Sequence, residues 1–241
     1  MTLNKNSLLY WFPKIKNLGI RTPKTKIIKI PNFWTLIDAP EKLTQYFPEI
    51  KEKANQLGYP IFIRTDFASG KHDWDKIAFM ENEEKLLSRI TALIDDNLCK
   101  DLLCGALVLR EYIPMKNLFT AFGGNLPINP EIRFFAENGK VHCWHWYWIE
   151  EAIRNPSKRN WRSLIKKEKE KICGEELRWL YDATQKISDQ FKSEGCWSID
   201  FCKALNGEWV LIDMAMASDS WHPEDCKPKW KKESKAKRVV K

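Results

Sequence analysis

The amino-acid sequence predicts an α+β fold whose sheets form from antiparallel hairpins rather than from regular β–α–β alternation. Two Asn-Gly pairs, Asn138-Gly139 and Asn206-Gly207, each lie between apolar runs, which is the strongest short-range signal of a β-hairpin. Helical periodicity occurs in separate segments, of which 81–98 and 175–194 are the clearest. The 241 residues suffice for one sizeable domain or two small lobes.

The elements follow one another in a simple order. Apolar runs that end at Pro, Gly or Asn predict strands at 26–30, 59–65, 107–113, 131–136, 140–148 and within 198–213. Helices are predicted at 41–57 (interrupted near Pro48 and closed by Gly58), at 81–98, in part of 150–171, and at 175–194. The last of these has five residues predicted to face inward: Leu177, Leu180, Tyr181, Ile187 and Phe191.

The hairpin at 198–213 carries two acids that face each other. If Asn206 and Gly207 are the central residues of a type I′ turn, Asp200 lies directly opposite Asp213, with Cβ atoms about 4.5–5.5 Å apart. Unpaired carboxylates that close repel by about 3 kcal/mol at an effective dielectric constant near 20. A cation removes this repulsion, and Mg²⁺ prefers carboxylate and water oxygens. The alternative is that one Asp points to solvent and binds nothing.

The other face of this hairpin is predicted to be core. Its residues are apolar: Trp197, Ile199, Phe201, Val210, Ile212, Met214 and Met216.

The net charge of +8 is concentrated at the C-terminus. Residues 227–241 include eight basic residues and one acidic residue, so the rest of the chain is nearly neutral. This polar tail is predicted to be disordered, either as a solvated chain end or as an anchor for nucleic acid or another polyanion. Segment 150–171 is also basic, and forms either a solvated helix or a surface for an anionic substrate.

The cysteines indicate a reducing compartment, and the hydropathy indicates that the chain does not span a membrane. Seven cysteines without a Cys-x-x-Cys pair predict neither a disulfide framework nor a zinc ribbon. His142, Cys143 and His145 are close in sequence, but on a strand they alternate between faces, so buried thiols are favoured over a metal site. No run of eighteen apolar residues or signal-like N-terminus occurs, so we expect no membrane contact and a cytoplasmic location.

Three further features are weak when taken singly. Arg64 precedes Ser69-Gly70-Lys71, where small residues and two cations could cradle phosphates. Residues 111–113 leave a strand before Pro114 and could present main-chain groups to a flat base. Glu131 and Arg133 alternate onto one face, as an acid beside a fork-shaped cation or as a plain ion pair.

Taken in order, these features resemble the ATP-grasp superfamily across about residues 18–220. The matching stretches are LGIRTPKT at 18–25, GYPIFIR at 58–64, EYI at 111–113, EIRFF at 131–135, GKV at 139–141, and the Asp200 to Asp213 hairpin. The resemblance implies two α+β lobes that hold a nucleotide between antiparallel sheets. The implied parts are a reduced N-terminal segment 1–58, a first lobe 59–115, a second lobe with the metal hairpin 116–226, and the basic tail 227–241.

The resemblance also implies roles for individual residues. ATP would be bound by Arg64, Ser69, Lys71, Glu111, Tyr112 and Ile113, with the last three at adenine. Glu131 and Arg133 would be catalytic, and Arg133 would stabilise charge on the transferred phosphoryl group. Mg²⁺ would be held by Asp200 and Asp213. Ala215 stands where the family pattern has an Asn ligand, which leaves open whether one or two Mg²⁺ bind.

The implied activity is an ATP- and Mg²⁺-dependent ligation. A carboxylate of a small molecule or peptide would become an acyl phosphate, which an amine-type nucleophile then attacks. Two alternatives remain open at this point. One is a nucleic-acid-associated protein that uses 150–171 and the tail, and the other is a nucleotide-binding protein without turnover.

Overall fold

The computed structural model describes residues 4–30, 36, 40–69, 74–99, 105–123 and 126–226. Lys71 and the tail 227–241, for which roles are predicted above, lie outside these residues. The helices are α1 (Leu8–Ile15), α2 (Phe47–Leu57), α3 (Leu86–Cys99), α4 (Trp161–Lys171) and α5 (Gly174–Ser188). The strands are β1 (Thr25–Lys29), β2 (Ile61–Thr65), β3 (Phe79–Met80), β4 (Ala106–Glu111), β5 (Phe119–Ala121), β6 (Leu126–Ile128), β7 (Glu131–Glu137), β8 (Lys140–Trp146), β9 (Trp197–Lys203) and β10 (Trp209–Met216).

The strands pair only antiparallel among the described residues, which confirms the predicted α+β class. One sheet has the order β1-β4-β2-β3 and a second has the order β10-β9-β7-β8, while β5 and β6 form a separate ribbon. In the described part of the chain, no helix is long and apolar enough to cross a membrane.

The first sheet is covered on one face by α2 and α3. Ile61, Ile63, Leu107 and Leu109 are fully buried against these helices, so the alternate residues of β2 and β4 must face the other way. Pro48 lies in the first turn of α2, where a missing N–H removes no helical hydrogen bond. A 3-10 helix at Pro40–Tyr46 precedes α2, so the helical segment changes type next to Pro48, where the interruption was predicted.

The second sheet packs against α1 and α5 in a larger core. On α5 the predicted inward residues Leu180 and Ile187 are buried, as is Phe191 in the turn that follows the helix. Tyr181 is 37% exposed, but its ring lies edge-on to that of buried Phe134, with ring centres 5.5 Å apart, so it faces the core with part of its surface in solvent.

The two Asn-Gly pairs form different turns. Asn138 and Gly139 both have positive φ (52° and 76°) between the paired residues Glu137 and Lys140, as a type I′ turn requires. At the second hairpin only Gly207 has positive φ (91°), and the Ala204 amide donates to the Glu208 carbonyl. The loop therefore has three residues with Gly last, and the predicted type I′ turn is wrong there.

A β-bulge at Ile212 restores the predicted pairing of the two acids. Next to the turn Leu211 pairs with Phe201, one residue out of the predicted register, and beyond the bulge Asp213 pairs with Asp200. The opposition of the acids is thus confirmed, but the bulge, rather than the turn, produces it.

The bulge also changes which residues of β10 face the core. Leu211 lies on the core face with Phe201, whereas Val210 pairs with Cys202 on the face that carries Asp200. Ile212 lies in the bulge and is only half-buried. The prediction that Val210 and Ile212 share the core face is wrong.

Candidate functional site

A cavity of about 310 Å³ lies between the two sheets. This volume falls at the lower end of the range for small-molecule sites, about 300–1,000 Å³. The wall includes apolar and aromatic residues, among them Phe62, Trp74, Tyr112, Leu126 and Trp148, which we call its apolar half. The charged residues of the wall come from both sheets, and we call them its ionic half.

Arg64 and Arg110 line the ionic half from the first sheet. Their side chains project from the neighbouring strands β2 and β4 on the face opposite α2 and α3. Across these strands Arg110 pairs with Phe62, and Arg64 pairs with Val108. Both are nearly fully buried, with 2% and 4% of their surface exposed. Two guanidinium groups in such a place are costly unless anions accompany them.

Arg110 has hydrogen-bonding capacity that the described residues do not use. Its Nη1 donates a hydrogen bond of 2.6 Å to the carbonyl of Ile212, the residue in the bulge. Its Nε and Nη2 have no partner in the described parts of the chain. Burial and the neighbouring charge of Arg64 lower the pKa of Arg110 to about 9, although Asp213 acts in the opposite direction. Arg110 is therefore still cationic at neutral pH, and it was not singled out from the sequence.

The two opposed acids are each paired with an arginine. Asp213 lines the cavity, is about one-third exposed, and lies 3.2 Å from Arg64 Nη1. Asp200 is buried, and both of its carboxylate oxygens accept hydrogen bonds from Arg133 Nε and Nη2 at 2.7 Å. These arginines relieve the repulsion between the acids for which a metal ion was predicted.

A magnesium ion still fits the exposed acid. Mg²⁺ is commonly held by one or two carboxylates together with phosphate oxygens and water. Asp213 offers such a carboxylate on the cavity wall, whereas the oxygens of Asp200 are already engaged by Arg133. Asp213 therefore suits a metal ligand better than Asp200 does.

Glu131 and Arg133 occupy different positions relative to the cavity. They share one face of β7, as predicted, and Glu131 is buried on the cavity wall. Arg133 lies beside the cavity, bound to Asp200, with its guanidinium 4.6 Å from the centre of the Tyr147 ring. In this geometry Arg133 orients the carboxylate of Asp200.

The side chain of Glu111 holds the lead-in segment. Its carboxylate accepts hydrogen bonds from Arg21 Nη2 at 2.9 Å and from the Lys24 amide at 3.0 Å. Burial alone would raise the pKa of Glu111, but these partners hold it below its ordinary value. Tyr112 and Ile113 line the apolar half, and Ser69 also lies on the wall. The predicted Lys71 contact falls outside the described residues.

The basic segment 150–171 does not contribute to the cavity wall in the described structure. Buried Glu168 on α4 binds Lys116 at 2.5 Å and Lys171 at 3.3 Å. Glu150 lies 3.5 Å from Arg162 and 3.9 Å from Lys169. Both interpretations of this segment, a solvated helix and a surface for an anionic substrate, stay predictions.

Neither a known family model nor a curated protein matches this chain. Several solved structures do match. N5-carboxyaminoimidazole ribonucleotide synthetase from Thermotoga maritima is 12% identical, with a TM-score of 0.43; the match covers 88% of this chain and 41% of that protein. D-alanine–D-alanine ligase from Bacillus anthracis, complexed with ATP, has 12% identity and a TM-score of 0.47 (88% and 53% covered). A RimK domain ATP-grasp protein from Sphaerobacter thermophilus has 10% identity and a TM-score of 0.43 (87% and 58%).

This chain thus spans about half the length of the solved structures it matches. They are ATP-grasp proteins, the superfamily that the sequence motifs resemble. With TM-scores below 0.5, the likeness decides nothing about the activity of this chain.

Proposed function

We propose that the cavity binds ATP with Mg²⁺, with the base in the apolar half and the phosphates at the arginines. The observation that carries this proposal is Arg110, a buried cation on the cavity wall with two donor nitrogens, Nε and Nη2, that lack partners in the described part of the chain. Each buried donor left unsatisfied costs about 1–3 kcal/mol, so an anion at this position stabilises the site. Phosphate oxygens are strong acceptors for such guanidinium donors.

The remaining wall suits the other parts of the nucleotide. Flat aromatic and aliphatic side chains of the apolar half match a purine, and Tyr112 and Ile113 on the same wall would offer it main-chain groups. In the ionic half Arg64 and Arg110 supply two buried guanidinium groups, and the acids are Asp213, which is paired with Arg64, Glu111, which is paired with Arg21, and Glu131. A phosphate chain would accept hydrogen bonds from the guanidinium groups, and Mg²⁺ would separate it from Asp213.

Asp213 would hold the Mg²⁺, with Asp200 beside it in a position fixed by Arg133. When bound, the ion neutralises charge on the phosphates and helps to orient them. Arg64 binds Asp213 and faces the same end of the cavity, so it keeps that carboxylate in place while it contacts phosphate. Buried Glu131 also lies on the cavity wall.

We further propose that the reaction is an ATP-dependent ligation of a carboxylate, from a small molecule or peptide, to an amine. The terminal phosphoryl group moves to the carboxylate oxygen, the amine attacks the acyl carbon, and inorganic phosphate leaves. The first step breaks the bond between the terminal phosphoryl group and ADP, which leaves, and the attacking amine loses a proton as the phosphate departs. In this scheme the chain positions the reactants and stabilises their charges, and it supplies no covalent nucleophile. The support for this step is the ordered set of sequence motifs together with the arginines and acids around one cavity.

Calorimetric titrations test the nucleotide site. We expect Mg·ATP to bind more tightly than adenosine. We also expect inorganic tripolyphosphate, which has no base, to bind at Arg64 and Arg110. Equal affinity for adenosine and ATP would contradict the placement of phosphates at the arginines.

Phosphate release on addition of carboxylate and amine mixtures tests the ligation separately. Binding of ATP without such release for any mixture would favour a nucleotide-binding protein that lacks turnover.

A further inference from the structure

Four side chains with nitrogen and sulfur ligand atoms meet away from the cavity. Cys143 and His145 lie on β8, an edge strand of the second sheet, and His222 and Cys226 belong to the segment that follows β10. Their ligand atoms all lie within 4.8 Å of one another, and Cys143 Sγ is 3.2 Å from His222 Nε2. All four residues are partly buried.

We propose that these four residues bind one zinc ion in a closed structural site. Two Cys and two His form a preferred tetrahedral ligand set for Zn²⁺. Zn–S bonds of about 2.3 Å and Zn–N bonds of about 2.0–2.1 Å place tetrahedral ligand atoms about 3.3–3.8 Å apart. The observed limit of 4.8 Å therefore requires side-chain adjustments on the scale of about 1 Å.

The surroundings hold the imidazole rings in place. The His222 ring lies edge-on to Phe135, with ring centres 4.6 Å apart, and its centre is 5.1 Å from that of His145. The nitrogen and sulfur atoms suit zinc and not Mg²⁺, which prefers oxygen. The alternative is a disulfide between Cys143 and Cys226, but a disulfide does not explain why two histidines converge at the same place.

Local sequence spacing does not predict a metal site at these residues. His142 and Cys143 do point to opposite faces, but Cys143 and His145 are two residues apart and share one face. The other two ligands come from a segment about eighty residues later, which no local pattern can connect to β8.

The proposed zinc site would anchor the segment at 217–226. This segment leaves β10 at one edge of the sheet and reaches β8 at the opposite edge. His145 pairs with Arg133 across β7 and β8, so the metal would lie on the same sheet face as the Arg133–Asp200 pair. The site is nevertheless separate from the cavity, and the inference does not depend on ATP binding.

Metal analysis of the full chain, purified under reducing conditions with zinc present, tests this proposal. We expect roughly one zinc per chain, and at least a tenfold lower content in the Cys143→Ser/Cys226→Ser variant. The matched control is Cys99→Ser/Cys173→Ser, which changes two exposed cysteines and should keep its zinc. Cobalt substitution of the unaltered chain should give the visible absorption of tetrahedral thiolate-bound Co²⁺ even if a variant does not fold.

Three results would overturn the proposal. The first is an unaltered chain that holds no zinc after reduction and reconstitution. The second is zinc that is retained by the Cys143→Ser/Cys226→Ser variant. The third is a Cys143–Cys226 disulfide, found by non-reducing peptide mapping, in a protein that binds no metal once reduced.

Discussion

Replacement of Arg110 by methionine should weaken nucleotide binding and, unusually, should not weaken the fold. Methionine has a similar length without charge, so it can occupy the space of the buried stem. The change removes two buried donor nitrogens that lack partners, Nε and Nη2, which relieves about 2–6 kcal/mol, and leaves the Ile212 carbonyl unpaired, which costs about 1–3 kcal/mol. The net gain is about 2 kcal/mol, or a rise in Tm of about 4–8 °C in a protein of this size.

The same substitution removes two charge-assisted hydrogen bonds to phosphate. At about 1.5–3 kcal/mol each, their loss should raise the Kd for Mg·ATP by about 10²–10⁴-fold. Thermal unfolding without ligand and calorimetry with Mg·ATP measure the two effects. Arg178→Met, on the exposed face of α5, is the control and should change neither quantity. A variant that is less stable but binds ATP as the unaltered chain does would refute this account of Arg110.

Other residues give three further predictions. Asp213→Asn should abolish ATP turnover and should also lower Tm, because buried Arg64 loses its anionic partner; phosphate release at the parent rate would refute the metal assignment. Arg133→Met should destabilise the fold by about 3–5 kcal/mol in denaturant titrations, since it leaves Asp200 buried without its partner, and a loss below about 1 kcal/mol would contradict that pairing. Lys116 and Lys171 lower the pKa of Glu168 although burial opposes them, so this carboxylate stabilises the fold above its ordinary pKa of 4.5. That stability should be lost as the pH falls through the lower folded pKa, and Glu168→Gln should flatten this part of the stability–pH curve; an unchanged curve would contradict the assignment.

Local chemistry explains why much of the second sheet could be predicted. Asn138-Gly139 met the backbone requirement of its turn, and the alternation of Glu131 and Arg133 put both on one face, as expected. The opposition of Asp200 and Asp213 was also predicted, although the three-residue turn and the Ile212 bulge both departed from the expected register. The turn and the bulge shift the pairing register in opposite directions, so their effects cancel at Asp213. Strict alternation of side chains along a strand therefore predicts neither of them.

Long-range contacts explain what was missed. Arg110 looks like an ordinary charged residue at a strand end, and only the packing of two sheets shows it to be buried without enough partners. The pairing of Arg133 with Asp200 also depends on the register of β7 against β9, and the role of Arg133 at the transferred group stays a prediction. The meeting of Cys143 with Cys226 likewise depends on where the segment after β10 lies.

A thermal unfolding measurement with and without Mg·ATP tests the central claim most directly. A ligand at one hundred times its Kd stabilises the state that binds it by about 2.7 kcal/mol. For a chain of this size, that energy corresponds to a rise in Tm of about 5–10 °C. We predict such a rise for the unaltered chain, and a much smaller one for Arg110→Met at the same nucleotide concentration. An unchanged Tm for the unaltered chain at saturating Mg·ATP would contradict a nucleotide site between the two sheets.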